Sequence, residues 1–92
     1  MARVFIPSLL RPLCNGQQLM ELPGATVGEV LRALVAAYPA VEERIFRDGS
    51  VASGRLQPGM SVAVDGDVAA HPLSHPVQAN SELSIIPAIA GG

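Results

Sequence analysis

Residues 24–34 read Gly-Ala-Thr-Val-Gly-Glu-Val-Leu-Arg-Ala-Leu and form the most regular stretch of the sequence. Apolar side chains recur there, and just beyond, at the spacing of one helical face. The face comprises Val27, Val30, Leu31, Leu34, Val35 and Tyr38. Thr26 precedes this face and Glu29 follows three residues later, which is the spacing of a capping box. Because Pro39 disfavours helical geometry at the residue before it, the pattern predicts an amphipathic helix between Thr26 and Pro39.

Segments with the signature of β-strands lie on both sides of this helix. They are residues 3–6, 17–22, 60–64, 67–70 and 83–86. A loop with two prolines separates the first two segments, and Asp-Gly at residues 65–66 separates the third and fourth, so each pair predicts a hairpin. Residues 41–46 predict a short helical turn. This order predicts an α+β fold in which a mixed sheet of four to five strands packs on one main helix.

The composition limits the functions that the chain can have. Its 92 residues suit one small domain over residues 1–92, with a flexible tail at residues 87–92. A net charge of −2 with scattered arginines predicts no nucleic-acid partner. The absence of lysine excludes Schiff-base chemistry and a P-loop. No stretch approaches the roughly 20 apolar residues of a membrane span, so we expect no membrane contact and a cytoplasmic location.

Residue types that often carry catalysis or bind metals occur here without a supporting pattern. Cys14 is the only cysteine, which excludes an intramolecular disulfide and a four-cysteine zinc site, and we expect a buried or incidental thiol. His71 and His75 each precede a proline, so we expect both in an exposed loop. Asp65 and Asp67 flank a glycine in a predicted turn, where turn chemistry is the simpler interpretation. We therefore predict no catalytic residue and no metal site.

The last residues carry the most specific signal. Residues 86–92 read Ile-Pro-Ala-Ile-Ala-Gly-Gly. Together with residues 24–34, Tyr-Pro at 38–39 and Val-Ala-Val-Asp-Gly at 62–66, this ending resembles the ThiS/MoaD family of sulfur-carrier proteins, which have the ubiquitin-like β-grasp fold. The tail is most similar to that of the CysO type, which serves cysteine biosynthesis. The resemblance covers nearly the whole chain.

The resemblance implies a carrier and not an enzyme. An E1-like adenylyltransferase/sulfurtransferase would use ATP to adenylate the carboxylate of Gly92 and would then convert it to a thiocarboxylate, while the chain itself binds no cofactor. The tail that would enter the partner's channel comprises Pro87, Ala88, Ile89, Ala90 and Gly91. Glycine and alanine keep this tail slim. Phe5 and Ile89 are candidates for an apolar docking surface on the sheet.

Three fates of Gly92 remain open. A sulfur carrier would supply a cysteine synthase, a molybdopterin synthase large subunit or a thiazole synthase, of which length and tail favour the first. A ubiquitin-like modifier would instead form an amide bond to a lysine of another protein. A plain β-grasp interaction module would have an inert tail. The chain departs from many family members at residues 80–82, Asn-Ser-Glu in place of Asp-Gly-Asp, and in the proline-bearing loop before them, so partner selection there does not follow from the resemblance.

Overall fold

Residues 1–87, which the computed structural model describes, fold into five strands and two α-helices. The strands are β1 (Ala2–Phe5), β2 (Leu19–Leu22), β3 (Ser61–Val64), β4 (Asp67–Val68) and β5 (Glu82–Ile86). The helices are α1 (Val27–Ala37) and α2 (Glu42–Ile45). Among these residues, no helix has the length and apolar character that crossing a membrane requires.

The strands form one mixed sheet in the order β2-β1-β5-β3-β4. β1 and β5 pair in parallel, and the other neighbouring strands pair antiparallel. The last strand therefore lies at the centre of the sheet. The predicted mixed sheet and both predicted hairpins are confirmed. The start of β2 was predicted too early, because the backbone N–H of Gln17 donates to the carbonyl of Cys14 and so belongs to the preceding turn.

The main helix follows the sequence prediction closely. The Thr26 hydroxyl accepts a hydrogen bond from the Glu29 backbone N–H at 3.2 Å, as a capping residue should. The Glu29 carboxylate accepts from the backbone N–H of Ala25 at 3.1 Å, one residue before the N–H expected for a capping box. Tyr38, before Pro39, has φ −137° and ends the helix.

Alternate strand residues and one face of α1 enclose the hydrophobic core. Its fully buried members of largest volume are Phe46, Ile6, Leu10, Leu31, Leu34, Ile45, Leu83, Val4, Val27, Val30, Val41 and Val62. The period of two along the strands places Val4 and Leu83 inward and their neighbours outward. Cys14 is also buried, which confirms the expectation of a buried thiol.

The proline-bearing loop packs against the first turn of α1. The Val27 N–H donates to the His75 carbonyl at 3.0 Å, and the Val77 N–H donates to the Ala25 carbonyl at 2.9 Å. The first bond satisfies the N–H of Val27, a helix N–H that would otherwise lack a partner, and the second ties the loop to the residue before the N-cap. They also leave His75 half-buried, which corrects the prediction that both histidines are exposed. His71 is exposed as predicted.

Candidate functional site

The candidate site begins where the central strand ends. β5 pairs with β1 on one side and with β3 on the other, and its Leu83 and Ile85 side chains are buried. Because both ladders would have to break to release it, the chain leaves the sheet from a fixed point. Pro87 follows directly and is half-buried. The other predicted tail residues, Ala88, Ile89, Ala90, Gly91 and Gly92, lie outside the described residues.

The outward face of the sheet carries a row of side chains in register. Across the sheet this row is Leu19, Phe5, Ser84, Ala63 and Val68. Phe5, Leu19 and Val68 are 41%, 44% and 63% exposed. Ile86 is 40% exposed and lies on the same face, next to Pro87. We call Phe5, Leu19, Val68 and Ile86 the outer apolar face.

The opposite end of this face is charged. Arg3 pairs in register with both Glu21 and Glu82, and the guanidinium lies 3.5 Å from the Glu82 carboxylate. Both side chains are about half exposed, so this ion pair contributes at most about 1 kcal/mol to stability. The pair places charged side chains at the start of β5, so the apolar side chains of this face lie toward the end where the chain leaves the sheet. An apolar surface with one charged border is typical of a protein interaction site.

A groove of about 440 Å³ opens beside the same end of the sheet. Its walls are residues 54–57, residues 70–74 and Met60. Met60 immediately precedes Ser61, which pairs in register with Ile86, so the groove adjoins the exit of the chain from β5. We call it the exit groove, and we define it by Arg55, Leu56, Gln57, Met60, His71 and Leu73.

The remaining reactive side chains do not assemble into a catalytic centre within residues 1–87. Burial raises the pKa of the Cys14 thiol, so it is protonated and a weak nucleophile near neutral pH. Asp65 and Gly66 both have positive φ, 52° and 91°, as a two-residue hairpin turn of type I′ requires. The Asp65 carboxylate accepts a hydrogen bond from the Glu82 N–H at 2.9 Å, which supports the predicted turn role. Within the same residues, no three potential metal ligands converge.

The sequence pointed to only part of this arrangement. Phe5 is exposed on the sheet, as a docking residue should be, whereas Leu19, Val68 and Ile86 were not predicted to share its face. Alternation within each strand indicates which residues share a face, but the register between strands sets which side chains become neighbours. The exit groove was missed altogether, because its walls are distant in sequence.

The chain resembles known proteins along most of its length. The ThiS family model matches residues 6–92. Sulfur carrier protein CysO of Mycobacterium tuberculosis is 34% identical over 91 residues, which is 97% of this chain and 96% of that protein. Small archaeal modifier protein 1 of Haloferax volcanii is 41% identical over 68 residues, 74% of this chain and 71% of that protein.

The same similarity holds for the fold. A chain in the crystal structure of the Amycolatopsis orientalis BexX/CysO complex matches with a TM-score of 0.86 and 26% identity, covering 100% of both chains. This similarity confirms the predicted ubiquitin-like β-grasp fold. The two relatives matched by sequence are named as a carrier and a modifier, respectively.

Proposed function

The chain belongs to the ThiS family, and from this we propose that it is a sulfur carrier, a protein co-substrate and not an enzyme, whose Gly92 carboxylate becomes a thiocarboxylate. One structural observation carries the proposal. The strand that leads to the tail is the central strand of the sheet, with the outer apolar face beside its exit. A carrier needs this arrangement because a partner must hold the body of the protein while the tail reaches a reaction centre.

The chemistry requires a partner because an α-carboxylate is ionised at pH 7 and is a poor acyl donor. In the proposed first step, a Gly92 carboxylate oxygen attacks the α-phosphorus of ATP on an E1-like adenylyltransferase/sulfurtransferase, and pyrophosphate leaves. In the second step, hydrosulfide attacks the acyl carbon, the bond to AMP breaks and a proton is released. The product is a thiocarboxylate whose ionised, polarisable sulfur is a good nucleophile. The ATP is bound by the partner and not by this chain.

The tail residues suit passage into an enclosed site. Five residues after Pro87 span roughly 17 Å when extended, which is enough to enter a buried active site. Pro87 restricts the backbone where the tail leaves β5. The alanines and the two terminal glycines present little side-chain bulk to a narrow channel. Ordering such a tail costs about 1–2 kcal/mol per residue, which contacts with the channel must offset.

The outer apolar face is the proposed docking surface for the E1-like partner. Phe5 and Ile86 are exposed on this face, and Ile86 lies immediately before the tail. An aromatic and an aliphatic side chain near the end of β5 are suited to burial by an enzyme that encloses residues 88–92. Ile89, predicted to join this surface, lies outside the described residues.

The acceptor of the sulfur is proposed to be a cysteine synthase. The match to sulfur carrier protein CysO extends over 97% of this chain, and the tail resembles that of the CysO type. A molybdopterin synthase large subunit and a thiazole synthase are the other two acceptors that the family resemblance implies.

A ubiquitin-like modifier is the second candidate, because small archaeal modifier protein 1 is 41% identical over 68 residues. The activation step would be the same, but the amine of a lysine on another protein would displace AMP. The chain has no lysine, so a modifier of this sequence could not build lysine-linked chains of itself.

Intact mass spectrometry separates these candidates. The protein is incubated with extract of its host, ATP and sulfide, beside a variant that lacks Gly92. A carrier gains the mass difference between sulfur and oxygen, and the truncated variant does not. Covalent adducts of the chain with other proteins, without sulfur exchange, support the modifier. No change in either protein rejects both and leaves an interaction module with an inert tail.

A further inference from the structure

The exit groove lies where a partner that receives the tail must be. Ser61 pairs with Ile86 in register, which places Met60, a wall of the groove, beside the point where the chain leaves β5. On the opposite wall, the Ala69 N–H donates to the Val62 carbonyl at 3.0 Å, which brings Ala70 to the same end of the sheet. An enzyme that takes up the roughly 17 Å of tail beyond Pro87 therefore docks next to this groove.

The lining of the groove carries positive charge and no negative charge. Among residues 1–87, Arg55 lines the groove, and no aspartate or glutamate does. The backbone of Arg47 lies next to that of Arg55. The Arg47 N–H donates to the Arg55 carbonyl at 2.9 Å, adjacent to an antiparallel β-bridge between Phe46 and Leu56. Both arginine side chains are exposed, and within residues 1–87 neither forms an ion pair.

Three apolar side chains that line the groove are held in place by the core. Leu56, Met60 and Leu73 are half-buried and pack against the core. The Gln57 side chain is held by a 2.8 Å hydrogen bond from its amide nitrogen to the Glu43 carbonyl. Arg55 is exposed and shares the groove with these apolar side chains, so a partner that covers the groove would exclude water from the guanidinium, and this would strengthen a charge-assisted hydrogen bond to a carboxylate.

We propose that the exit groove binds a carboxylate side chain, carried on a partly apolar loop, of the enzyme that adenylates Gly92. The inference rests on the proposed function and adds to it the chemistry of the second contact surface. Arg55 supplies the positive charge, and a planar guanidinium is suited to bidentate binding of a carboxylate. Such a contact orients the body of the carrier while the outer apolar face supplies the buried area. Complementary charge of this kind acts mainly on association rate and partner choice.

The test measures the initial rate of thiocarboxylate formation in host extract with ATP and sulfide, at carrier concentrations below saturation. Arg55→Glu reverses the charge in the groove, and Arg55→Lys keeps it. Arg44→Glu makes the same change of charge on an exposed residue that does not line the groove, so it is the matched control. Melting curves establish that all three variants are folded.

We expect Arg55→Glu to slow the reaction about tenfold, Arg55→Lys to slow it less because it keeps the charge but loses the bidentate geometry, and Arg44→Glu to stay within about twofold of the wild type. The deficit of Arg55→Glu should shrink at high salt, because screening weakens the interaction between charges. Equal rates for the wild type and Arg55→Glu overturn the inference while the sulfur-carrier function stands. Normal thiocarboxylate formation with slower transfer to the acceptor also overturns it, because the groove would then serve another enzyme. If the wild type gains no sulfur, the proposed function and this inference fall together.

Discussion

The packing of the proline-bearing loop on α1 makes a sharp prediction for Gly28→Ala. A Cβ atom at Gly28 would lie 2.8 Å from the Leu73 carbonyl oxygen, whereas ordinary contacts begin near 3.4 Å. The loop must therefore retreat by about 0.6 Å, since the contacted atom belongs to the backbone and no flexible side chain can turn away. Two backbone hydrogen bonds hold the loop in this place, one from the Val27 N–H to the His75 carbonyl and one from the Val77 N–H to the Ala25 carbonyl.

The net effect follows from two opposing terms. Alanine favours the helix by at most about 1 kcal/mol over glycine. Overpacking costs about 1–3 kcal/mol, and weakening two hydrogen bonds of about 1 kcal/mol each adds to it. We expect Gly28→Ala to lower the free energy of unfolding by about 2 kcal/mol, which corresponds to a fall in Tm of roughly 8–16 °C for a domain of this size.

Thermal denaturation followed by circular dichroism shows directly whether Gly28→Ala raises or lowers the stability. Ala36→Gly, on the exposed face of α1, is the control that calibrates helix propensity in this helix. Amide exchange supplies a second readout, because the Val27 and Val77 amides should exchange faster in Gly28→Ala. A higher Tm for Gly28→Ala would refute the close approach of the loop, since propensity alone would then decide the outcome.

Three further predictions concern the cap, the outer apolar face and the buried thiol. Thr26→Ala removes the acceptor for the Glu29 N–H and should cost about 1 kcal/mol in urea denaturation; an unchanged midpoint would contradict the cap. Phe5→Ser should slow thiocarboxylate formation severalfold with little change in Tm, whereas Leu9→Ser, also exposed but in a turn outside the sheet, should leave the rate unaltered; equal rates for both variants would reject the docking surface. Burial raises the pKa of Cys14 above its ordinary value of 9.0, so the unfolded chain loses this proton first and stability should fall as the pH rises past about 9. Denaturant titrations at several pH values should show that Cys14→Ala lacks that part of the pH dependence. Identical slopes of stability against pH for the wild type and Cys14→Ala would show that the thiol does not contribute.

The parts of the fold that the sequence predicted are those fixed by local chemistry. α1 has its cap, its apolar period and its terminating proline within about a dozen residues, so each signal supports the others. The hairpin turn at Asp65 and Gly66 was equally local, because type I′ geometry demands positive φ at both residues. The strand pattern did not indicate that the last strand lies at the centre of the sheet, because strand order depends on contacts between distant segments.

The parts that were missed depend on contacts between distant segments. The parallel pairing of β1 with β5 joins residues nearly eighty positions apart and decides that Phe5 lies opposite Ser84. The half-buried state of His75 depends on where its carbonyl meets α1. The exit groove forms between residues 54–57 and 70–74, and neither segment carries a motif that indicates a binding surface. The pattern of side chains within a segment indicates the conformation of that segment. It does not indicate which other segment packs against it.

The position of the transferred sulfur decides whether Gly92 carries it. After incubation with host extract, ATP and sulfide, the protein is treated with an alkylating reagent that traps ionised sulfur, and fragment mass spectra locate the added group. We expect one sulfur in place of one oxygen on the fragment that contains Gly92, and no change at Cys14. A persulfide at Cys14, formed by sulfur transfer from a persulfide donor in the extract with Gly92 unchanged, would contradict the proposed function, because the chain would then carry sulfur on its only cysteine and the tail would have no part in the transfer.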